Sequence, residues 1–203
     1  THEMKSPLAA IRGAGEILAE EVDDPALHRF TDNVIHESIR LSDLLDKLLA
    51  MARLEKLESL PAHKSAVSIS ALVQEWQHSR YALLAEKQLD ITVNEGTLQV
   101  EADTFRLALF NLLDNALRFA NENTTITVHV DVACLTVTNT GPVIPDYALG
   151  RITERFYSLP SPGQERSSGL GLAMVSEIAS LHGGSLNVEN THQGVQARLT
   201  LPE

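Results

Sequence analysis

The segment from Leu8 to Met51 carries more apolar surface than a pair of helices can bury between themselves. Leu8, Ile11, Gly15, Leu18 and Val22 recur at alternating spacings of three and four. Leu27, Phe30, Val34, Leu41, Leu44, Leu48 and Met51 continue the pattern, with Glu37 at the skipped position. Ile35, Ile39, Leu45 and Leu49 widen this heptad-like face. Asp23-Asp24-Pro25 separates the two segments as a short turn. A dimeric four-helix bundle is the natural way to cover such faces. The competing arrangement is a hairpin packed on its own downstream domain.

The remaining composition narrows the options. The chain has 203 residues and a formal net charge of -11, which speaks against a nucleic-acid or anionic-membrane surface. Its single cysteine, Cys134, sits in an apolar strand-like run, so no internal disulfide is possible. We expect that thiol to be buried, as suits a reducing compartment. No run approaches the roughly 18 apolar residues of a spanning helix, and no signal peptide is visible. The chain reads as a cytoplasmic fragment of something longer.

After Leu54 the helical pattern stops. Residues 1–56 read as the hairpin, 57–66 as a polar linker holding Pro61, and 67–203 as a second domain. Ser70 is the expected cap of a helix reaching about Glu86. Leu89 to Val93 and Leu98 to Val100 read as short strands around Gly96. Thr104 to Ala120 reads as a strong helix, and Thr125 to Val132 and Leu135 to Thr138 as strands. A Gly-, Pro- and Ser-rich stretch from Gly141 to Ser168 has a helical patch near its start. Gly171 to His182 follows as a helix, then strands at Ser185 to Val188 and Val195 to Leu201. The fold class is α+β: a helical hairpin, then an α/β two-layer sandwich with helices on one face of a sheet.

His2 opens the run Thr1-His2-Glu3-Met4-Lys5-Ser6-Pro7-Leu8. An imidazole with a pKa near ~6.5 has a ring nitrogen free to attack an electrophile at neutral pH. Glu3 is placed to accept the proton from the other nitrogen. Ser6 lies one turn on, on the same face, and Pro7 removes a helical bond to the Glu3 carbonyl, so the helix should bend there. The bland reading is a His-Glu pair at a frayed helix start. His28, His36, His63, His78, His129, His182 and His192 show no metal-like spacing and take surface or packing roles.

There is no GxxxxGK[ST] loop. The helix from Thr104 instead places Asn111, Asn115, Arg118 and Phe119 on or near one face. The amide oxygens of Asn111 and Asn115 suit a hard cation such as Mg²⁺ when phosphates supply the charge. Arg118 suits phosphate oxygens, and Phe119 suits stacking on a base. The alternative is an amphipathic helix with exposed amides. Ser167-Ser168-Gly169-Leu170-Gly171-Leu172 opens the next helix, where glycines and free N–H groups favour close approach of an anion. Its place after the long stretch reads as a lid over phosphates.

In this order, the motifs resemble the transmitter core of bacterial sensor histidine kinases. His2 to Leu8 is similar to that family's H-box, Asn111 to Phe119 to its N-box, and Gly141 to Pro145 to its G1 box. Glu154-Arg155-Phe156 is similar to its F-box and Gly169 to Leu172 to its G2 box. The resemblance implies a dimerisation and phosphoacceptor hairpin followed by a Bergerat-type ATP-binding domain. It implies phosphorylation of His2 from ATP with Mg²⁺, then transfer to an aspartate of a response regulator. It places Asn139, Gly141, Ile144, Phe156, Leu170 and Leu172, with the residues above, around ATP. The expected partners are a second copy of the chain and a receiver domain, without nucleic acid. The expected location is the cytoplasmic side of a bacterial inner membrane, attached only through segments outside this chain.

Several positions depart from the family pattern. Asn139 stands where an aspartate usually accepts a bond from the adenine amine. Val143 replaces a glycine, and a β-branched residue tolerates positive φ poorly. Thr153 replaces a phenylalanine of the F-box, and Ser6 stands where Thr or Asn is common. Weakened ATP affinity is the expected result of the two G1 changes, with a degenerate kinase acting as scaffold or phosphatase as the alternative.

Overall fold

The computed structural model describes residues 2–21, 23–57, 64–94, 96–159 and 167–202, the side chains of residues 2–4 excepted. It divides into two compact units, Thr1–Arg53 and Leu54–Glu203.

The first unit is a hairpin of α1 (His2–Glu21) and α2 (Pro25–Leu54). Val22, expected on the apolar stripe, lies outside the described residues. Asp24 starts α2: its Oδ1 accepts from the Ala26 amide at 2.8 Å, and Pro25 takes the first helical position. The helices approach closely where Gly15 meets Ile35, since a Cβ at Gly15 would lie 2.8 Å from Ile35 Cγ1. Gly15 therefore lets the two helices come together at Ile35. On α2 Thr31, Ser38 and Leu45, one heptad apart, are buried, as are Met51 and Leu54 near its end. The bulky Ile11, Ile17, Leu18, Leu27, Phe30, Ile39, Leu41 and Leu48 remain exposed on this unit.

The second unit carries a five-stranded sheet in the order β2-β4-β5-β7-β6. Its strands are β2 (Asp90–Val93), β4 (Thr125–Asp131), β5 (Cys134–Thr140), β6 (Ser185–Asn190) and β7 (Gly194–Thr200). β2 runs parallel to β4 and the other pairings are antiparallel. Along β4, buried Ile126, Val128 and Val130 alternate with exposed Thr127, His129 and Asp131. One face is thus apolar, as a sheet covered on one side requires. The helices α5 (Ala102–Phe119) and α7 (Gly171–Leu181) meet each other and the sheet, burying Phe105, Leu109, Leu112, Leu113, Met174 and Ile178. A short α6 (Asp146–Leu149) follows β5.

Several sequence expectations change here. A strand β1 (Ser65–Ser68) pairs antiparallel with β3 (Thr97–Val100), so it begins inside the segment read as a linker. Residues 58–63 of that segment lie outside the described residues. The helix cap is Ser68 rather than Ser70: Ser68 is still extended, and its Oγ accepts from Ala71 N at 3.4 Å. The following helix is two, α3 (Ile69–Ser79) and α4 (Tyr81–Lys87), broken where Arg80 leaves helical geometry. The strands around Gly96 belong to different sheets. Cys134 is only half-buried, because it is the first residue of β5.

Candidate functional site

The helix α5 is fixed at both ends by charged side chains. Glu101 caps its start, accepting from Thr104 N at 2.8 Å, Thr104 Oγ1 at 2.6 Å and Asp103 N at 3.3 Å. Burial pushes the Glu101 carboxyl up, but these bonds outweigh it and hold its pKa below the ordinary 4.5. Lys87 closes the other end, its Nζ donating to the carbonyls of Leu117 (2.9 Å), Arg118 (3.1 Å) and Ala120 (3.3 Å). Burial lowers the Lys87 pKa below 10.5, against the opposing pull of Glu122. A cation at the last carbonyls offsets the negative end of the helix dipole.

The middle of α5 is fixed sideways. Asp114 accepts from Trp76 Nε1 at 2.9 Å, from Arg80 Nε at 3.0 Å and from Arg80 Nη2 at 3.2 Å. Trp76 is fully buried, so this carboxylate anchors α3 and the break at Arg80 to α5.

On the face of α5 read as functional, Asn111 is nearly buried and its Nδ2 donates to the Leu107 carbonyl at 2.8 Å. Its Oδ1 faces Gly171, where a Cβ would lie 3.2 Å away. Asn115, Arg118 and Phe119 are half-buried further along, and the Arg118 guanidinium carbon lies 5.8 Å from the Phe119 ring centroid. At the end of α5 the Phe119 carbonyl oxygen occupies the space of a Cβ at Gly141. Only glycine allows that approach between α5 and the end of β5. Beside it, Asn139 is 5% exposed, with Nδ2 3.3 Å from the same point.

The segment after β5 is held by a side chain the sequence reading missed. Asn190, at the end of β6, donates from Nδ2 to Ile144 O and accepts from Ile144 N at Oδ1, both at 2.8 Å. The amide mimics a strand partner for one residue. Gly141 N adds a bond to Gln193 O at 2.9 Å. With this clamp Val143 needs no positive φ: among described non-glycine residues that region holds Gln88, Asn123, Ala133 and Phe156. Val143 is not among them, so the segment takes a shape in which this β-branched residue keeps an ordinary φ.

The two sides of the expected lid meet at one point. Phe156 N donates to Gly169 O at 2.9 Å, and the Ser158 and Ser167 hydroxyls are 2.7 Å apart. Gly169 has φ +66, and a Cβ there would overlap the Phe156 backbone. Phe156 itself has φ +62, a strained value for a bulky residue, and its ring is exposed. Near Thr153 the buried side chain is Ile152. Leu170 is fully buried and Leu172 half-buried at the start of α7. The side chains of His2 and Glu3, residues Pro160–Arg166 of the expected lid, and His63 lie outside the described residues. Ser6 is exposed on α1, in the other unit.

No group of three His, Cys, Asp or Glu residues suited to a metal occurs among the described residues. The donors that fit a cation here are amide oxygens, with Asn111 Oδ1 turned towards the first residue of α7. Residues 100–203 match the family model of the histidine kinase-, DNA gyrase B- and HSP90-like ATPases, and residues 1–57 match the His kinase A phospho-acceptor domain.

The chain belongs to the sensor histidine kinases.

Within that family it is similar to sensor protein CreC of Escherichia coli K12, 45% identical over 96% of this chain and 42% of the relative. Sensor protein QseC of the same organism is 33% identical over 95% of this chain and 44% of its own length. The chain therefore spans less than half the length of these relatives. Among solved structures, full-length ShkA in complex with AMPPNP aligns with a TM-score of 0.77 at 23% identity, covering 99% of this chain and 44% of that one. Acinetobacter baumannii AdeS aligns at 0.64 and 19% identity, covering 100% and 99%. These structural likenesses concern the fold, including its helical hairpin followed by the α/β domain. Among the described residues, no helix is long and apolar enough to cross a membrane.

Proposed function

We propose that this sensor histidine kinase chain binds ATP with Mg²⁺, phosphorylates its own His2 and passes the phosphoryl group to an aspartate of a response regulator. The observation that carries the nucleotide half is the pairing of Asn111 and Gly171. An amide oxygen is presented to the start of a helix at a residue with no side chain, where phosphate oxygens and a cation can come close. Asn111 and Asn115 would hold Mg²⁺, which would supply neutralisation of phosphate charge. Arg118 would contact phosphate, with Phe119, Asn139, Gly141 and Ile144 towards the base. Gly169, Leu170, Gly171 and Leu172 would line the phosphates, with Phe156 at the root of the lid.

In the acceptor half, a ring nitrogen of His2 attacks the γ-phosphorus. A P–N bond forms, the bond to the β,γ-bridging oxygen breaks, and ADP leaves. Glu3 takes the proton from the other ring nitrogen. Ser6, exposed on the same helix, would contact the phosphohistidine surroundings or a water in its hydrolysis. The exposed apolar residues of the hairpin favour a homodimer, since Phe30 at 66% and Ile17 at 61% exposure are costly to leave in water. Attachment to a bacterial inner membrane would come from segments outside this chain.

The test is incubation of the purified chain with Mg²⁺ and labelled ATP. The expected result is an acid-labile, base-stable phosphate that is absent in His2→Ala. An unlabelled parent chain would overturn the kinase assignment.

A further inference from the structure

Lys87, the last residue of α4, reaches across to the end of α5. Its Nζ donates to the carbonyls of Leu117 at 2.9 Å, Arg118 at 3.1 Å and Ala120 at 3.3 Å. An ammonium has three donors, so all of them are spent on backbone oxygens. The Lys87 carbonyl accepts from Asn123 N at 3.0 Å, and Asn121 N donates to Thr140 O at 2.9 Å. One lysine therefore joins α4 to the last turn of α5 and to the loop that this turn feeds, which is itself tied to the end of β5. The carbonyl it leaves out is that of Phe119, which fills the space of a Cβ at Gly141. Resting on the nucleotide assignment above, we propose that Lys87 is a positioning residue for the ATP site: by fixing the backbone on either side of Phe119 it sets Arg118 and Phe119 for the nucleotide, without touching the nucleotide itself.

The physical reason lies in the helix end. The last carbonyls of a helix find no amide within it, and a turn left in that state frays. Here Ala116 O is met by Ala120 N at 2.8 Å, and the carbonyls of Leu117 and Arg118 are met by Lys87. Arg118 and Phe119 are the last two residues of α5, so their side chains follow any movement of that turn. Burial, and after it the neighbouring Arg118 charge, lower the Lys87 pKa against the pull of Glu122 and Glu86. The Lys87 donors are already engaged, which leaves phosphate to Arg118. Three oxygens converging on one point suit a compact ammonium. A planar guanidinium spreads its donors in a fixed fork and does not reproduce that tripod.

The experiment compares the 203-residue parent with Lys87→Met, Lys87→Arg and, as a control, Glu101→Gln, which weakens the cap at the opposite end of the same helix. The readouts are calorimetric affinity for AMPPNP with Mg²⁺, and KM for ATP and the saturated rate in labelling of His2. Lys87→Met and Lys87→Arg are both expected to raise Kd and KM by about tenfold, with the saturated rate within about twofold of the parent. Glu101→Gln is expected to leave Kd and KM at the parent values. A merely structural role gives the opposite split, a lower saturated rate from lost folded chain with KM unchanged, and that result overturns the inference. Full retention of affinity by Lys87→Arg reduces Lys87 to a charge and overturns it too, as does an equal loss in Glu101→Gln. A parent that binds AMPPNP no better than its Lys87 variants overturns this inference and leaves the nucleotide site standing. A parent that binds no AMPPNP at all overturns the nucleotide assignment, and the inference falls with it. Lys87→Arg decides the matter if Lys87→Met fails to fold.

Discussion

Asn111 Oδ1 lies against Gly171, 3.2 Å from where a Cβ would be, while the other end of the same amide is held by the Leu107 carbonyl. The amide therefore cannot retreat without breaking its own bond. Gly171→Ala should push Oδ1 aside by a few tenths of an ångström and weaken Mg²⁺-AMPPNP binding by about tenfold. Gly171 has no positive φ, so alanine is conformationally acceptable there. Its smaller unfolded-state entropy should leave the melting midpoint unchanged or slightly higher. Titration and thermal melting on the same sample separate the two effects. Unchanged affinity would remove the pairing from the site.

The clamp from Asn190 to Ile144 makes a second expectation. Asn190→Ala removes both bonds to that residue's backbone. The surrounding sheet is untouched, so global stability should drop by less than about 1 kcal/mol. The local effect should be larger: amide exchange at Ile144 should quicken by about tenfold or more, with weaker nucleotide binding. Hydrogen exchange resolved by residue checks it. Equal protection in parent and variant would show that the clamp does not order this segment.

Asp114 serves two partners of different worth. The pair with Arg80 is more than a third exposed on both sides, so its charge contributes little. The bond from Trp76 Nε1 ends on a fully buried ring, and losing its acceptor is costly. Asp114→Ala should destabilise by about 2 kcal/mol, while Asp114→Asn, which keeps an acceptor, should cost less than about 1 kcal/mol. Urea unfolding of both variants tests the order. Equal losses would place the energy in the ion pair.

Glu101 gives the acid side of the stability curve a defined contribution. Its folded pKa is depressed below 4.5. A depressed carboxylate stabilises the fold above the unfolded pKa, and the contribution is lost as pH falls through the folded value. Glu101→Gln should therefore flatten the fall in stability between about pH 5 and pH 3. Denaturation at several pH values measures that slope, and an unaltered slope would count against the cap as its source.

The parts of this fold that could be read early are those whose signals lie within a turn or two of chain. The apolar stripe of α5 and its buried Leu109, Leu112, Leu113 and Ala116 follow from helical spacing. The alternation of Ile126, Val128 and Val130 gives β4. The break at Arg80 was missed because its guanidinium is drawn to Asp114, 34 residues on. β1 was missed because Ser65–Ser68 becomes a strand only beside Thr97–Val100. The site divides the same way. Asn111 and Asn115 share a helix face by spacing, and Gly169 and Gly171 stand out by type. Asn190 carried no local sign, since its partner Ile144 is 46 residues away and only the strand order brings them together.

The sequence by itself determined which side chains share the face of α5, where glycine opens the backbone, and which family the motifs resemble. All of these rest on local sterics and periodicity. Tertiary structure decided that Val143 keeps an ordinary φ in a segment whose next residue, Ile144, is held by Asn190. It also decided that Asn111 Oδ1 faces Gly171 and that the Asn139 amide is buried with an unpaired donor. Those outcomes depend on partners brought close by sheet register and helix packing, which no short window of sequence contains.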